Sequence, residues 1–570
     1  MDKIILLGSP GERPFYMRTN IPPLSLGVLQ GYLCENGFDV ITHDLNVSLA
    51  RQIKELSKEK FTILYDKDLF LNSIQYSMKD QYAFLIRNLL RDIDFSNGKL
   101  VGISLGSNYS FFEIHTGFLI GKYLKEKYDT TIVFGGENVE YLYNFRESFH
   151  ELWSVVCKIF PYIIFGPGEK VLVRMADSLF KSGKVIQPEA LPGVVYYKGD
   201  IVVCNTPDEP SLTRPDFSGL PLSYYSTCID NSISDNRRNN LNHIQFFKWP
   251  FPHTLRASAM NRFCLPVEKR KEVTFIPYIF NYNCPFKCAF CVQSNPSRHE
   301  VITKDPENVV DDLAIMMEKY KSPYFYFFNN TFNSSPGFVK KFHSKVTKRK
   351  LELYWSDCAR FNNLDENLIR MMYESGCRKL IFGFETGSEK LLRMIDKRLD
   401  LNHAEKIIRL CSKQGIWVDL EVIIGLPHEF DEDFQATCDF ILKNREYINT
   451  FAVNRYFVVP SSLIGMKPDK FGIELIKNRF EYEDILKRNK DHLLQVRNER
   501  CEKVSVGNFR IYSFKEVNGR SVEQVEIDTD RHFSKVMDLY KSLSITDEIR
   551  LCNLHLALKR KQKQTVIVSG

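Results

Sequence analysis

Residues 283–295 read NCPFKCAFCVQSN, and within them Cys284, Cys288 and Cys291 fall in a C-x3-C-x2-C spacing. Three thiols on one short loop can be aimed at a single centre, and thiolate is the soft ligand that iron–sulfur clusters select. A four-iron cluster closed on every side needs a fourth cysteine, which the neighbouring sequence lacks. The spacing therefore points to a cluster with one iron open to a substrate or cosubstrate. Two other readings stand beside it. A structural zinc site would take a fourth ligand such as His299. Buried cysteines also cluster by accident, as small apolar side chains, although Pro285, Lys287 and the polar flanks of this loop are unlike a core strand.

Working outward, the pattern from residue 273 is one of alternating strands and helical stretches. EVTFIPYIF feeds the cysteine loop, and residues 306–319 have helical spacing. YFYFFNNTF, LELYWSDCARF, RKLIFGFETGS, IWVDLEVIIGLP and TFAVNRYFVVP then read as five further strands. Six strand–helix units predict a partial barrel of parallel strands, whose chemistry sits on loops at the carboxyl ends of the strands.

Upstream, KIILLG at 3–8, FDVITHD, KLVGISLG at 99–106, TTIVFGG at 130–136 and PYIIFG at 161–166 are apolar runs separated by helical stretches. They predict a doubly wound parallel sheet, in which a ligand binds beyond the carboxyl ends of the strands. Those ends carry small residues: Gly8, Ser9 and Gly11, then Ser104, Gly106 and Ser107, then Gly135 and Gly136, and finally Gly166 and Gly168 followed by Glu169. Small residues let a large flat ligand approach the backbone, but glycines also simply make strand-to-helix turns; the residues alone leave both readings open. GVVYYKGDIVV at 193–203 reads as a hairpin, and Pro207, Pro210, Pro215 and Pro221 mark a linker. The tail reads as a charged helical stretch, a strand pair about Asn518-Gly519 and a final helix.

C-x3-C-x2-C with Phe290 directly before its last cysteine resembles the signature of the radical S-adenosylmethionine (SAM) enzymes. The resemblance implies that Cys284, Cys288 and Cys291 hold a [4Fe-4S] cluster whose open iron chelates SAM. Cleavage of the sulfonium by one electron would then give a 5′-deoxyadenosyl radical that takes hydrogen from a substrate. It further implies that Asn329 and Asn330 stand where the family binds the SAM amino group, that Arg360 and Glu385 meet the carboxylate and the ribose, and that Ile423 and Gly425 of VIIGLP, with the backbone near Phe290, lie along the adenine. Ser104, then Gly135-Gly136, then FGPGE at 165–169 is similar to the cobalamin-binding domain that precedes many such enzymes. The loop after the first strand, GSPGERPFY, lacks the histidine of the D-x-H-x-x-G pattern, and Ser104-Leu105-Gly106 departs from its S-x-L partner.

The implied layout is a cobalamin-binding-like Rossmann domain over 1–205, a linker and insertion over 206–272, a partial (β/α)6 barrel over 273–470 and a small α+β domain over 471–570. The implied reaction is methylation of an unactivated carbon of a small-molecule or peptide substrate, with both cofactors facing one water-poor cavity. Cyclisation or rearrangement with the same cofactors, a first domain that docks substrate without cobalamin, and a non-catalytic zinc protein are the rivals.

Composition bounds the rest. A chain of 570 residues exceeds a single core, and its 44% hydrophobic and 26% charged residues are those of an ordinary soluble protein. A net charge of +7 with scattered basic residues gives no nucleic-acid footprint, and KRKQKQ at 559–564 reads as a solvated tail. Fourteen cysteines without regular spacing suit a reducing compartment. The first apolar run is too short for a signal peptide or a membrane span, so a cytoplasmic location is expected. An electron donor such as flavodoxin or ferredoxin is the partner such chemistry needs. The aromatic stretch HIQFFKWPFPH at 243–253 suits core packing or a substrate channel.

Overall fold

The structure, a computed structural model, describes residues 2–15, 21–106, 109–230, 270–294, 300–477, 479–495 and 511–542. The aromatic stretch at 243–253, Ser107, His299, Cys501, Cys552 and the basic run at 559–564 lie outside the described residues. The chain gathers into two compact units: Met1–Tyr225 with Val459–Ser461 and Ile476–Ser513, and Ser226–Val458 with Ser462–Leu475 and Phe514–Gly570. The stretch 471–570 is therefore shared between them.

In the first unit β1 (Lys3–Gly8), β2 (Val40–Asp44), β3 (Gly98–Ser104) and β4 (Thr131–Gly135) form a parallel sheet in the order β2-β1-β3-β4. Continuous apolar runs suit strands covered on both faces, and Ile4, Ile5, Leu6 and Leu7 are all fully buried or nearly so. Ile4 and Leu6 join Leu26 and Leu33 of the helix Leu24–Glu35 and Val171 and Met175 of the helix Glu169–Asp177 in one core. The first of these helices stops at Gly37, whose φ of +85° and backbone bond to the Cys34 carbonyl make a left-handed cap. Strand order reverses between β1 and β3, which puts the crevice of such a sheet beside their carboxyl ends.

PYIIFG does not extend this sheet as a full strand. Tyr162 and Ile164 exchange backbone bonds with Phe134 of 2.9 and 2.8 Å, but the pairing is a single bridge, Phe134 to Ile163. The other edge of PYIIFG is taken by the segment after it, Val195 N donating to the Ile163 carbonyl at 2.8 Å. The hairpin expected at 193–203 does form, Val195–Lys198 against Ile201–Cys204 with Gly199 at φ +65° in the turn.

In the second unit β5 (Ile276–Tyr278), β6 (Tyr324–Phe327), β7 (Tyr354–Ala359), β8 (Cys377–Glu385), β9 (Trp417–Ile424) and β10 (Thr450–Arg455) form one parallel sheet in sequential order. EVTFIPYIF is divided, since residues Arg270–Val273 pair antiparallel with Thr227–Asp230 and only Ile276–Tyr278 enters the sheet. Each crossover carries a helix with a recognisable start, such as Pro306–Tyr320 under the Asp305 cap and Glu366–Glu374 under the Asp365 cap. Trp355 on β7 stacks 4.2 Å from Phe332 and lies edge-on 6.1 Å from Phe342 of the helix Pro336–Arg349, so the odd residues of that strand face the helices. The tail differs from its expected hairpin. Ser513–Glu516 pairs with Ile473–Ile476, and beyond the Asn518 turn the chain is the helix Val522–Ser542. Ser521 starts that helix, its hydroxyl accepting from Gln524 N at 3.3 Å.

Candidate functional site

The cysteine loop leaves β5 at the carboxyl edge of the second sheet. Asn283 takes φ +64° to turn the chain, its amide donating to the Glu300 carbonyl at 2.9 Å. Cys288 is 6% exposed while Cys284 and Cys291 are half-buried. The Cys291 N–H closes a turn on the Cys288 carbonyl at 3.0 Å, and the Gln293 N–H points at the Cys291 sulfur at 3.5 Å. Ala289, between the thiols, is held from both sides: its N–H donates to the Ile395 carbonyl at 2.8 Å and its carbonyl accepts from Ile464 N at 3.0 Å. Burial pushes the Cys284 and Cys291 thiols up, while Lys397 acts against the rise at both and Arg360 does so at Cys284.

No three His, Cys, Asp or Glu side chains among the described residues close on a single metal ion.

Arg360 follows β7 and is 8% exposed. Its guanidinium lies 3.7 Å over the Phe286 ring, Nη1 donates to the Cys288 sulfur at 3.3 Å and Nη2 to the Lys397 carbonyl at 2.5 Å. Its Nε is buried without a hydrogen-bond partner, an uncompensated donor beside the thiols. Glu385 ends β8 at φ +66°, a strained conformation for a residue with a side chain. Its carboxylate meets the Lys397 ammonium at 2.5 Å, both side chains 8% exposed.

Asn329 is buried with its amide engaged: Oδ1 accepts from Phe280 N at 3.0 Å, and Nδ2 donates to Asp357 at 2.6 Å. Asn330 beside it is exposed. Gly425 has φ +88°, and a Cβ there would stand 2.5 Å from the Thr529 hydroxyl. Its N–H donates to Glu429 at 3.1 Å, while Ile423 is 8% exposed and Phe290 is half-buried.

At the carboxyl edge of the first sheet, Ser9 is 3% exposed with its hydroxyl unpartnered, and its N–H donates to the Ser104 carbonyl at 2.9 Å. Gly106 and Gly136 take φ of +74° and +101°, and Asn138 N donates to the Gly106 carbonyl at 3.1 Å. A Cβ on Gly135 would meet nothing closer than 3.9 Å and one on Gly168 nothing closer than 3.8 Å. Gly166, at φ +86°, packs on Pro207, and Glu169 is buried where it accepts from Ser211 N at 3.3 Å. A Cβ at Gly135 or Gly168 would make ordinary van der Waals contact only, and the Ser9 hydroxyl is left without a partner, so a polar, amide-bearing ligand such as cobalamin would fit the donor set of this edge.

Several groups here have no motif in the sequence. Glu113 fills the gap between loops, for a Cβ on Gly11 or Gly106 would run into its carboxylate, which Asn138 Nδ2 reaches at 2.9 Å. Glu12 is held by the Tyr65 hydroxyl at 2.8 Å and the Ser110 hydroxyl at 3.2 Å, and burial lifts its carboxyl to about 7. In the second unit Asp357, lifted by burial to about 8, supports Asn329, and Lys397 joins Glu385 to Arg360. Lys397 sits in a polar loop and Asp357 inside a strand, so only their burial singles them out.

Residues 278–441 match the Radical SAM superfamily. An uncharacterized methyltransferase of Pyrococcus horikoshii is 23% identical over 372 residues, 63% of this chain and 69% of the relative. The fold is similar to that of the radical SAM methyltransferase TsrM from Kitasatospora setae with cobalamin and a [4Fe-4S] cluster bound: TM-score 0.54, 17% identity, 83% of this chain and 77% of that one. It is also similar to the cobalamin-dependent enzyme OxsB with aqua-cobalamin and SAM bound, with TM-score 0.51, 14% identity and coverage of 87% and 55%.

Proposed function

We propose, on the premise that this chain belongs to the radical SAM superfamily, that it methylates an unactivated carbon of a small-molecule or peptide substrate using a [4Fe-4S] cluster, SAM and cobalamin. The observation that carries the reading is the cysteine loop with a buried, part-unpartnered arginine directly over it. The cluster, when bound, supplies the electron that cleaves SAM, and cobalamin supplies a methyl carrier. The methyltransferase relative and the two solved structures support the second half.

In this reading Cys284, Cys288 and Cys291 each hold one iron. The Arg360 guanidinium, fixed by the Phe286 ring, would supply the positive charge that holds the SAM carboxylate. Glu385 accepts from the ribose hydroxyls, Asn330 offers its open amide to the amino group, and the backbone at Ile423 and Gly425 lies along the adenine. Asn329 serves from behind, since its amide is engaged by Phe280 and Asp357. Burial of Cys288 and Arg360 excludes the water that would quench a radical.

The six parallel strands serve as a partial (β/α)6 barrel, and 1–205 as the cobalamin-binding domain, with Ser9, Ser104, Gly106, Gly135, Gly136, Gly166, Gly168 and Glu169 along its cofactor edge. A low-potential donor such as flavodoxin or ferredoxin would deliver the electron, in the cytoplasm. The test is an anaerobic absorption spectrum of protein reconstituted with iron and sulfide, with and without hydroxocobalamin, after desalting. Near-stoichiometric retained corrin over the broad cluster band supports methylation; a cluster band without corrin removes cobalamin and makes the first domain a docking module.

A further inference from the structure

The loop at 395–398, just after the helix Glu389–Met394, reaches the site at three points. The Ile395 carbonyl accepts from Ala289 N, between the cysteines, at 2.8 Å. The Lys397 carbonyl accepts from Arg360 Nη2 and the Lys397 ammonium meets Glu385, each at 2.5 Å. A fourth bond, Asn362 Nδ2 to the Arg398 carbonyl at 2.7 Å, ties the loop to the end of β7.

Its backbone is unusual for its composition. Asp396 and Arg398 take φ of +49° and +53° without being glycine, a conformation that persists only where surroundings over-determine it. Their side chains pair with each other toward solvent, Nε to Oδ1 at 2.8 Å, and are 42% and 75% exposed. Lys397 between them is 6% exposed. Two left-handed residues thus turn the one intervening ammonium inward.

A buried lysine–glutamate pair is a weak source of stability, because desolvating both ions offsets most of their attraction. What this pair does do is fix geometry. The same residue orients the carboxylate expected at the ribose through its ammonium and the guanidinium expected at the carboxylate through its carbonyl. We infer that Lys397 is a positioning residue for SAM, holding Glu385 and Arg360 in register above the cysteine loop; the inference rests on the radical SAM reading of that loop.

The test uses the full chain, anaerobically reconstituted, with iron and sulfide content, the electron paramagnetic resonance spectrum of the reduced cluster, and SAM affinity from the spectral change on titration. Lys397→Met is expected to keep its iron and sulfide while binding SAM about tenfold or more weakly, the loss of one charge-assisted contact. Lys397→Arg is expected to recover most of that affinity, and adding Lys397→Met to Glu385→Gln is expected to cost less than it does alone, because the two act as one unit. Wild-type affinity and spectrum in Lys397→Met overturn the proposal, as does failure of Lys397→Arg to recover affinity. Should Lys397→Met lose its cluster or its fold, Lys397→Gln decides, since it keeps a polar end in the buried turn and removes the ammonium: about tenfold weaker SAM binding with iron and sulfide retained supports the proposal, and unchanged binding overturns it. A wild-type chain that takes up no cluster removes the radical SAM reading itself, a failure distinct from one confined to the Lys397 variants.

Discussion

The carboxyl edges of the two parallel sheets are built on opposite plans. In the second unit side chains define the site: three thiols, a guanidinium stacked on Phe286 and a Lys397–Glu385 pair, each committed to a partner. In the first unit the edge is built mainly from backbone and small residues, with half-exposed glycines at Gly135 and Gly168 and an unpartnered hydroxyl at Ser9. A cluster and the charged end of SAM demand directed ligands and counter-charges, whereas a broad cofactor needs room and a backbone to lie against. The first plan leaves a strong motif in sequence and the second a weak one.

Substitutions should separate the two plans. The largest effect is expected at Cys288, where Cys288→Ala should abolish SAM cleavage, measured as 5′-deoxyadenosine formed, while leaving corrin retention intact; retained cleavage would sink the cluster assignment. Next, Arg360→Ala removes two hydrogen bonds and the spare Nε–H, and should lower SAM affinity by about 10- to 100-fold with iron content unchanged. At the other edge, Gly136→Ala forces a side chain into φ +101° within 3.0 Å of the Ser104 hydroxyl. It should cost about 1–2 kcal/mol of stability by denaturant unfolding and reduce corrin retention without touching the cluster band.

The smallest effect is one of pH. Glu12 has an ordinary carboxylate value of 4.5 and is raised by burial to about 7 in the folded chain. Folded protein therefore binds more protons than unfolded protein between those values, so stability falls as pH rises from about 4.5 to 7 and the penalty is complete above. Glu12→Gln lacks that charge, and should unfold at higher temperature than wild type at pH 8 with the difference shrinking by pH 5. An equal difference at both pH values would show that the Tyr65 and Ser110 contacts, not the charge, govern this position.

How much of this was readable beforehand follows the same division. The cysteine spacing stands out as a motif on one loop, and the family resemblance puts Arg360 and Glu385 at strand ends, where the structure has them just after β7 and at the end of β8. Lys397 stands out by neither route, since DKRL in a polar loop looks solvated until the left-handed turns at Asp396 and Arg398 bury its middle residue. Asp357 was hidden for another reason: alternation puts it on the face of Trp355, where a carboxyl is least expected, and the bonds it accepts from Asn329 and from Cys358 N account for it. PYIIFG and the tail failed as strands because apolar composition does not supply a ladder partner. PYIIFG makes one bridge to Phe134 and one to Val194, and beyond Asn518-Gly519 helical spacing wins.

Ala289 gives the cluster loop a property its cysteines do not. With both its backbone groups bonded, to Ile395 and to Ile464, and 1% exposed, it pins the centre of the loop to two separate segments of the same unit. Metal sites that order their own ligands lose part of the binding free energy to that ordering. A pinned loop is a mould that exists before it is filled, so oxidative loss of the cluster should leave a folded chain able to be recharged, its repair limited by the supply of iron and sulfide and not by refolding.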